Sequence, residues 1–311
     1  MSVRPQRLRR CQLAVPGSSE KMMRKAATLG VDHVFLDLED AVAPAAKVGA
    51  RDLIVAALNE QDWGRTVRCV RINDLDTHYA YEDIITVVEG AGANLDTILV
   101  PKVKTACDVK FVDRLLTQIE GKLGLTRRIG IEVLIEEAEA IMRVDEIAAA
   151  SPRLEALIFG MGDYSASQGI DPAAVSRDPG YPGDIWHYAR CKLITAARTY
   201  GLDPVDGPFV NFNDGDWFRT ECRRALQLGA VGKWAIHPSQ IAIAQEVFSP
   251  SQADIDKAHR SVVAYRAAQE KGLGAIQVDG EMVDVATVRL VQRILDRATL
   301  AGMKPTEQDH A

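Results

Sequence analysis

Long apolar runs are missing from this chain. No stretch approaches the roughly 18 consecutive apolar residues that a membrane-spanning helix needs. The apolar run at 12–17, behind a basic start at 1–10, is too short for the core of a secretion signal. A soluble, unexported protein is expected. Cysteine is also scarce: Cys11, Cys69, Cys107, Cys191 and Cys222 are odd in number, scattered, and never arranged as Cys-x-x-Cys. That excludes a disulfide framework and a cysteine-based zinc site and points to a reducing cytoplasm. Positive charge is in deficit, with 37 Lys+Arg against 43 Asp+Glu and a formal charge of -6. Nucleic acid and anionic lipid surfaces are therefore excluded as main partners, and an anionic ligand would need a local basic pocket. There is no internal repeat and no low-complexity tract.

What is present is a chain of 311 residues, 47% hydrophobic and 26% charged, enough to bury one large core. Short runs rich in Val, Ile and Leu alternate with helix-period segments up to about residue 248, the βαβα signature of a parallel sheet. The strand candidates cover 11–17, 32–40, 66–73, 97–103, 128–135, 154–163, 202–209 and 232–238. Between them lie amphipathic stretches such as EKMMRKAATLG and ARDLIVAALNE, apolar at i, i+3 and i+4. Eight such units in about 240 residues match a (β/α)₈ TIM barrel; an open, doubly wound sheet is the alternative, because one sequence does not reveal strand order. The spacing predicts a barrel domain over 1–248 and a C-terminal helical appendage over 249–311, with an Asp-Gly turn in VDGEMVD between two helices. The irregular, Gly- and Pro-bearing stretch 168–185 has the look of a mobile lid.

In a barrel the chemistry is assembled at the carboxyl ends of the strands. Most runs here end in polar residues: Asp37, Glu39 and Asp40 after the second, Arg71 and Asn73 after the third, Lys102 after the fourth. Asp163 follows the sixth, Asp206 the seventh and His237 the eighth. Each alone can be a helix cap; together they suggest a site. Glu132, inside the apolar run Ile131–Ile135, must be paired or bind a cation. Its pairing partner would be Arg71 or Lys102. With Asp163, which follows Gly160-Met161-Gly162, it forms a pair of hard oxygen donors on neighbouring strands, suited to Mg²⁺ or Mn²⁺. Arg71 offers a planar fork for a carboxylate or a developing enolate oxygen, or else pairs with Glu132 or Asp37. Arg24 and Lys25, near the Pro16-Gly17-Ser18 turn, can hold phosphates. His237 is as readily a packing or capping residue as a functional one.

The strings RCQLAVPGS, LDLEDAVAP with Lys47 and Arg51, VRINDLDT, VPKV, IEVLIE, IFGMGDYSAS, PVDGPF, VGKWAIHPSQIA and MVD together resemble the citrate lyase beta-subunit-like family of CoA-dependent carbon–carbon lyases. The likeness is strongest to its malyl-CoA/β-methylmalyl-CoA lyases. The resemblance implies Mg²⁺-dependent, reversible cleavage of malyl-CoA to acetyl-CoA and glyoxylate, or of β-methylmalyl-CoA to propionyl-CoA and glyoxylate. It implies Glu132 and Asp163 as metal ligands, Arg71 on the substrate carbonyl, and Gly162 against the substrate. Lys25 and the Ile236-His237 backbone would contact CoA. Asp284 would be the catalytic base, delivered by the C-terminal arm to a neighbouring subunit of a homotrimer or hexamer. Asp37, Glu39, Asp40 and Lys102 would arrange metal-bound water and Arg71 from behind. Where members can carry an aromatic residue after RCQL and a basic one after PGS, this chain has Ala14 and Ser19. A malyl-CoA thioesterase, a citramalyl-CoA lyase and a non-catalytic CoA-binding subunit are the competing readings.

Overall fold

The computed structural model describes residues 4–175 and 183–306. Eight strands, β1 (Cys11–Pro16), β2 (His33–Asp37), β3 (Val67–Arg71), β4 (Thr97–Val100), β5 (Gly130–Ile135), β6 (Leu154–Phe159), β7 (Asp203–Asp206) and β8 (Gly232–Ala235), form one closed barrel in sequence order. All neighbouring pairs are parallel, and β8 closes onto β1 with Cys11 opposite Lys233. Closure rather than an open doubly wound sheet is therefore the observed topology. It depends on a glycine at the seam, since a Cβ on Gly232 would meet the Arg9 carbonyl oxygen at 1.7 Å.

The strands are buried along nearly their whole length because one face lies in the barrel and the other under the helices. Phe35, Cys69, Leu99, Leu134, Ile158, Val205 and Trp234 pack together as one buried cluster. The Phe35 and Trp234 rings lie 4.4 Å apart. The strands also stop sooner than their apolar runs suggest: Glu39, Asp40 and Lys102 lie beyond the ladders, and Asp163 sits in the first turn of the helix Met161–Gln168. All eight carboxyl ends open on the same face, so these residues gather at one mouth.

The chain divides into two compact units, one built on Arg9–Gln245 and the other on Glu246 onward. Within the second, β9 (Ala275–Val278) and β10 (Glu281–Asp284) form an antiparallel hairpin between the helices Gln252–Glu270 and Val285–Leu300. Its two-residue turn has both Asp279 (φ 50) and Gly280 (φ 83) left-handed, the type I′ geometry anticipated from the Asp-Gly pair. Of the stretch 168–185, a helix Pro172–Val175 is present, and the lid expectation for 176–182 falls outside the described residues. Among the described residues no helix is long and apolar enough to cross a membrane, and all five cysteines are free.

Candidate active site

Side chains alternate along a strand, so Glu132, Leu134 and Glu136 follow one another on the inward face of β5 and its extension. Glu132 is fully buried and lies deep in the barrel. Its Oε1 accepts from Arg9 Nε (3.1 Å) and Nη2 (3.0 Å) and from His33 Nε2 (3.0 Å), and its Oε2 accepts from Gln12 Nε2 (3.0 Å). Burial opposes ionisation, but Arg9 and His33 outweigh it and hold this carboxyl well below the usual range. The expectation that Glu132 ligates the cation is thereby corrected. Its pairing partners are Arg9 and His33 rather than Arg71 or Lys102, because it lies at the amino-terminal end of the barrel, away from the mouth. His33, Cys69 and Glu132 do bring a nitrogen, a sulfur and an oxygen within 4.8 Å of one another. A metal ion there would sit against the Arg9 guanidinium, so the cluster is an internal ion network.

Glu136, immediately after β5, is the residue that reading from sequence missed. It is 4% exposed, and its Oε1 accepts from the Lys102 backbone N–H at 2.8 Å. Burial, and then the nearby Asp163 carboxylate, push its pKa well above the ordinary glutamate value. Room for this side chain is made by Gly160, where a Cβ would fall 2.6 Å from Glu136 Oε2. Asp163 is exposed in the first turn of its helix, with Gly162 exposed beside it. Two hard oxygen donors crowded together, one of them buried with no cationic side chain bonded to it among the described residues, are suited to Mg²⁺ or Mn²⁺. The charge balance agrees. Asp37, Glu39, Asp40, Glu136 and Asp163 stand against Lys47, Arg71 and Lys102, leaving two negative charges in excess when all are ionised.

Arg71 ends β3 opposite Asp37 in the ladder. Asp37 receives Nε at 2.7 Å and Nη2 at 2.6 Å, a two-pronged pair that fixes the guanidinium plane. Nη1 turns to Glu39 (2.8 Å) and Asp40 (3.3 Å). The guanidinium carbon lies 5.7 Å from the Phe35 ring and 5.6 Å from the Trp234 ring, so the floor of the mouth is aromatic. The ion-pair alternative with Asp37 is thus realised, while the Nη1 edge still faces the mouth. Behind it, Lys47 Nζ donates to the carbonyls of Leu38 (2.9 Å) and Glu39 (2.8 Å) and to Asn73 Oδ1 (2.5 Å), which sets the backbone carrying Glu39. Burial raises the Glu39 carboxyl to about 7, against the pull of Arg71.

Lys102 has a left-handed backbone (φ 49), a conformation that costs a residue with a side chain roughly 1 kcal/mol. Its ammonium pairs with Glu39 and lies 3.8 Å from Asp40 Oδ1. Asp37, Glu39, Asp40, Arg71 and Lys102 therefore form one contact network, with Glu136 and Asp163 beside it. Lys25, Ile236 and His237 bond to none of these residues. Lys25 is exposed in the last turn of the helix Glu20–Ala27, which leads away from the mouth. Ile236 and His237 are exposed just beyond β8; the Ile236 amide donates to Gln240 Oε1 (2.8 Å), and the His237 ring stacks on Phe212 at 4.7 Å while its Nδ1 accepts from the Ser239 amide. Asp284 belongs to the second unit, where Oδ1 caps the helix Val285–Leu300 by accepting from Thr287 N (2.9 Å) and Oγ1 (3.0 Å).

A closed parallel barrel that collects carboxylates, an arginine and a lysine at the carboxyl ends of its strands has the plan of a barrel enzyme. The HpcH/HpaI aldolase/citrate lyase family model matches residues 10–238, and the chain belongs to that family. It is 43% identical over 306 residues to an L-malyl-CoA/beta-methylmalyl-CoA lyase of Cereibacter sphaeroides, covering 95% of this chain and 96% of that one. Among solved structures, a citrate lyase from Burkholderia xenovorans superposes with a TM-score of 0.84 at 26% identity, over 96% of this chain and 93% of the other. The protein CitE from Mycobacterium tuberculosis, solved in complex with magnesium, acetoacetate and coenzyme A, gives 0.73 at 28% identity, over 93% and 97%.

Proposed function

We propose that this protein is a Mg²⁺-dependent carbon–carbon lyase that reversibly splits malyl-CoA into acetyl-CoA and glyoxylate, and β-methylmalyl-CoA into propionyl-CoA and glyoxylate. The observation that carries the reading is the Glu136–Asp163 carboxylate pair at the mouth, beside an arginine whose plane is already fixed. Glu136 replaces Glu132 as the partner of Asp163 in holding the cation. A divalent cation held by these two carboxylates supplies a Lewis acid for the carbonyl of a 2-oxo acid. Gly162, open to solvent at the start of its helix, leaves backbone N–H groups free for that substrate's carboxylate.

Arg71 presents Nη1 to the thioester carbonyl, whose oxygen gains negative charge when the carbon–carbon bond breaks. Asp40 is the partner that yields, since its side chain is 60% exposed whereas Asp37 is fully buried. Asp284 is the proton carrier: it removes a methyl proton from acetyl-CoA in synthesis and returns one in cleavage. Its carboxyl lies below the ordinary aspartate value because the Thr287 amide donates to it; like any unburied aspartate it is ionised at neutral pH. We assign Asp284 to the site of a second copy of the chain in a trimer or hexamer, and Lys25, Ile236 and His237 to contacts with CoA. Five free thiols suit a reducing cytoplasm.

The test is incubation of the purified protein with malyl-CoA and Mg²⁺, trapping glyoxylate and assaying free thiol in parallel. Glyoxylate with acetyl-CoA is expected; malate with free CoA would instead make it a thioesterase, and neither would refute catalysis on this substrate. The sharing of Asp284 is tested by co-expressing Asp284→Ala and Glu136→Ala chains, each inactive alone. Mixed oligomers should regain part of the activity, whereas recovery at background level in verified mixed oligomers would show that Asp284 serves its own chain or none.

A further inference from the structure

We propose that Lys102 is a positioning residue joining the two halves of the site: its main-chain amide sets Glu136, and its ammonium sets the carboxylates in front of Arg71. The inference rests on the reading of Glu136 and Asp163 as the cation pair. β4 leaves the barrel ladder at Val100, and two residues later Lys102 turns left-handed. Residues other than glycine are uncommon in this conformation, and it persists only where the surroundings hold it in place. Two contacts do so here. The freed N–H donates to Glu136 Oε1 at 2.8 Å, and the side chain reaches the buried Glu39 and the half-exposed edge of Asp40. A glycine would satisfy the backbone alone; a lysine at this φ makes use of both ends. The consequence is a division of labour, in which the amide governs cation affinity and the ammonium governs turnover through Glu39 and Arg71 Nη1, which lie 2.8 Å apart.

The experiment uses the full-length protein in three forms besides wild type: Lys102→Met, Lys102→Arg, and a chain in which the α-hydroxy acid analogue of lysine replaces Lys102, turning one amide into an ester. Mn²⁺ binding is followed by electron paramagnetic resonance without substrate, and kcat and KM for malyl-CoA are measured at saturating Mg²⁺. Lys102→Met should bind Mn²⁺ within about twofold of wild type while kcat falls about 100-fold, a loss of the size seen when a group supporting a developing anion is removed. Lys102→Arg should recover part of that kcat. The ester form should weaken Mn²⁺ binding about tenfold, the cost of a missing outer hydrogen bond to a ligand, with kcat at saturating metal largely kept. A Lys102→Met kcat near wild type, or parallel losses of Mn²⁺ affinity and kcat in both forms, would overturn the proposal. A Glu136→Gln control that still binds Mn²⁺ like wild type would refute the cation pair itself, and with it the amide half of the proposal.

Discussion

Glu132 on β5 and Glu136 just beyond its end share an inward face, roughly 13 Å apart at about 3.3 Å per residue. The first is answered on every side: Arg9, His33, Gln12 and Thr97 all reach it, and Arg9 is held in turn by Glu155 and Asp203 at 2.7 Å each. The second receives one backbone amide and faces another carboxylate. Burial is nearly equal at the two positions, so burial does not separate a structural carboxylate from one free to bind. Compensation does. A paired charge in the interior stiffens the barrel, and removing one partner leaves the others costly; an unpaired one at the mouth is the kind of donor suited to a divalent cation.

The sharpest way to break this contrast is to neutralise each glutamate in turn. Glu136→Gln or Asp163→Asn should lower kcat/KM for malyl-CoA by at least about 10³-fold, as expected when an electrostatic anchor for developing charge is lost, while circular dichroism and thermal melting remain those of a folded barrel. Glu132→Ala should do the reverse, costing about 3–5 kcal/mol of stability because Arg9 loses a buried partner, with the remaining folded fraction still turning over substrate. If Glu132→Ala proves stable but inactive, the assignment of the two glutamates must be exchanged. Next in size is Arg71→Lys, which keeps the charge but cannot grip Asp37 with two prongs and still offer Nη1 to substrate. A loss of about 10²–10³ in kcat is expected. Retention of the wild-type rate would mean that Arg71 serves only to balance Asp37, Glu39 and Asp40.

The barrel was legible because its signal is repeated: alternating apolar runs and helices in all eight units leave little else for the chain to build. The mouth was legible in part for the same reason, since Asp37, Glu39, Asp40, Arg71, Lys102 and Asp163 follow apolar runs and converge as strand ends must. The error at Glu132 has a physical cause. An isolated carboxylate in an apolar string looks more conspicuous than one at its end, yet a partner 123 positions away in sequence, Arg9, is invisible without the fold. The period-2 alternation did hold the answer, for Glu136 lies on the same face as Glu132 and at the functional end. Capping by Asp284 and catalysis by it are compatible, because only Oδ1 is engaged by Thr287.

The smallest effect sharpens the contrast most, because it predicts opposite signs. In metal-free protein the Glu136 carboxyl lies well above its unfolded value, and Glu39 lies at about 7, both through burial first. The folded state therefore keeps protons that the unfolded chain has released above about pH 4.3. Their contribution to stability is full below that pH and is lost as pH rises through the folded values, so stability should decline between about pH 5 and 8. Glu132 behaves oppositely: its depressed carboxyl stabilises the fold throughout this window and fails only below the ordinary glutamate range. Glu136→Gln removes a group that is costly to ionise, so the metal-free variant should melt above wild type at pH 8. At about pH 3.5, below the unfolded glutamate value, the two should melt together. Saturating Mg²⁺ should then raise the wild-type midpoint and leave Glu136→Gln where it was, since a ligand stabilises only the state that binds it. Calorimetry of both proteins at the two pH values, with and without Mg²⁺, reads all eight midpoints. A metal-free Glu136→Gln protein that melts below wild type at pH 8 would mean that Glu136 is already compensated, and that the two glutamates differ in position but not in kind.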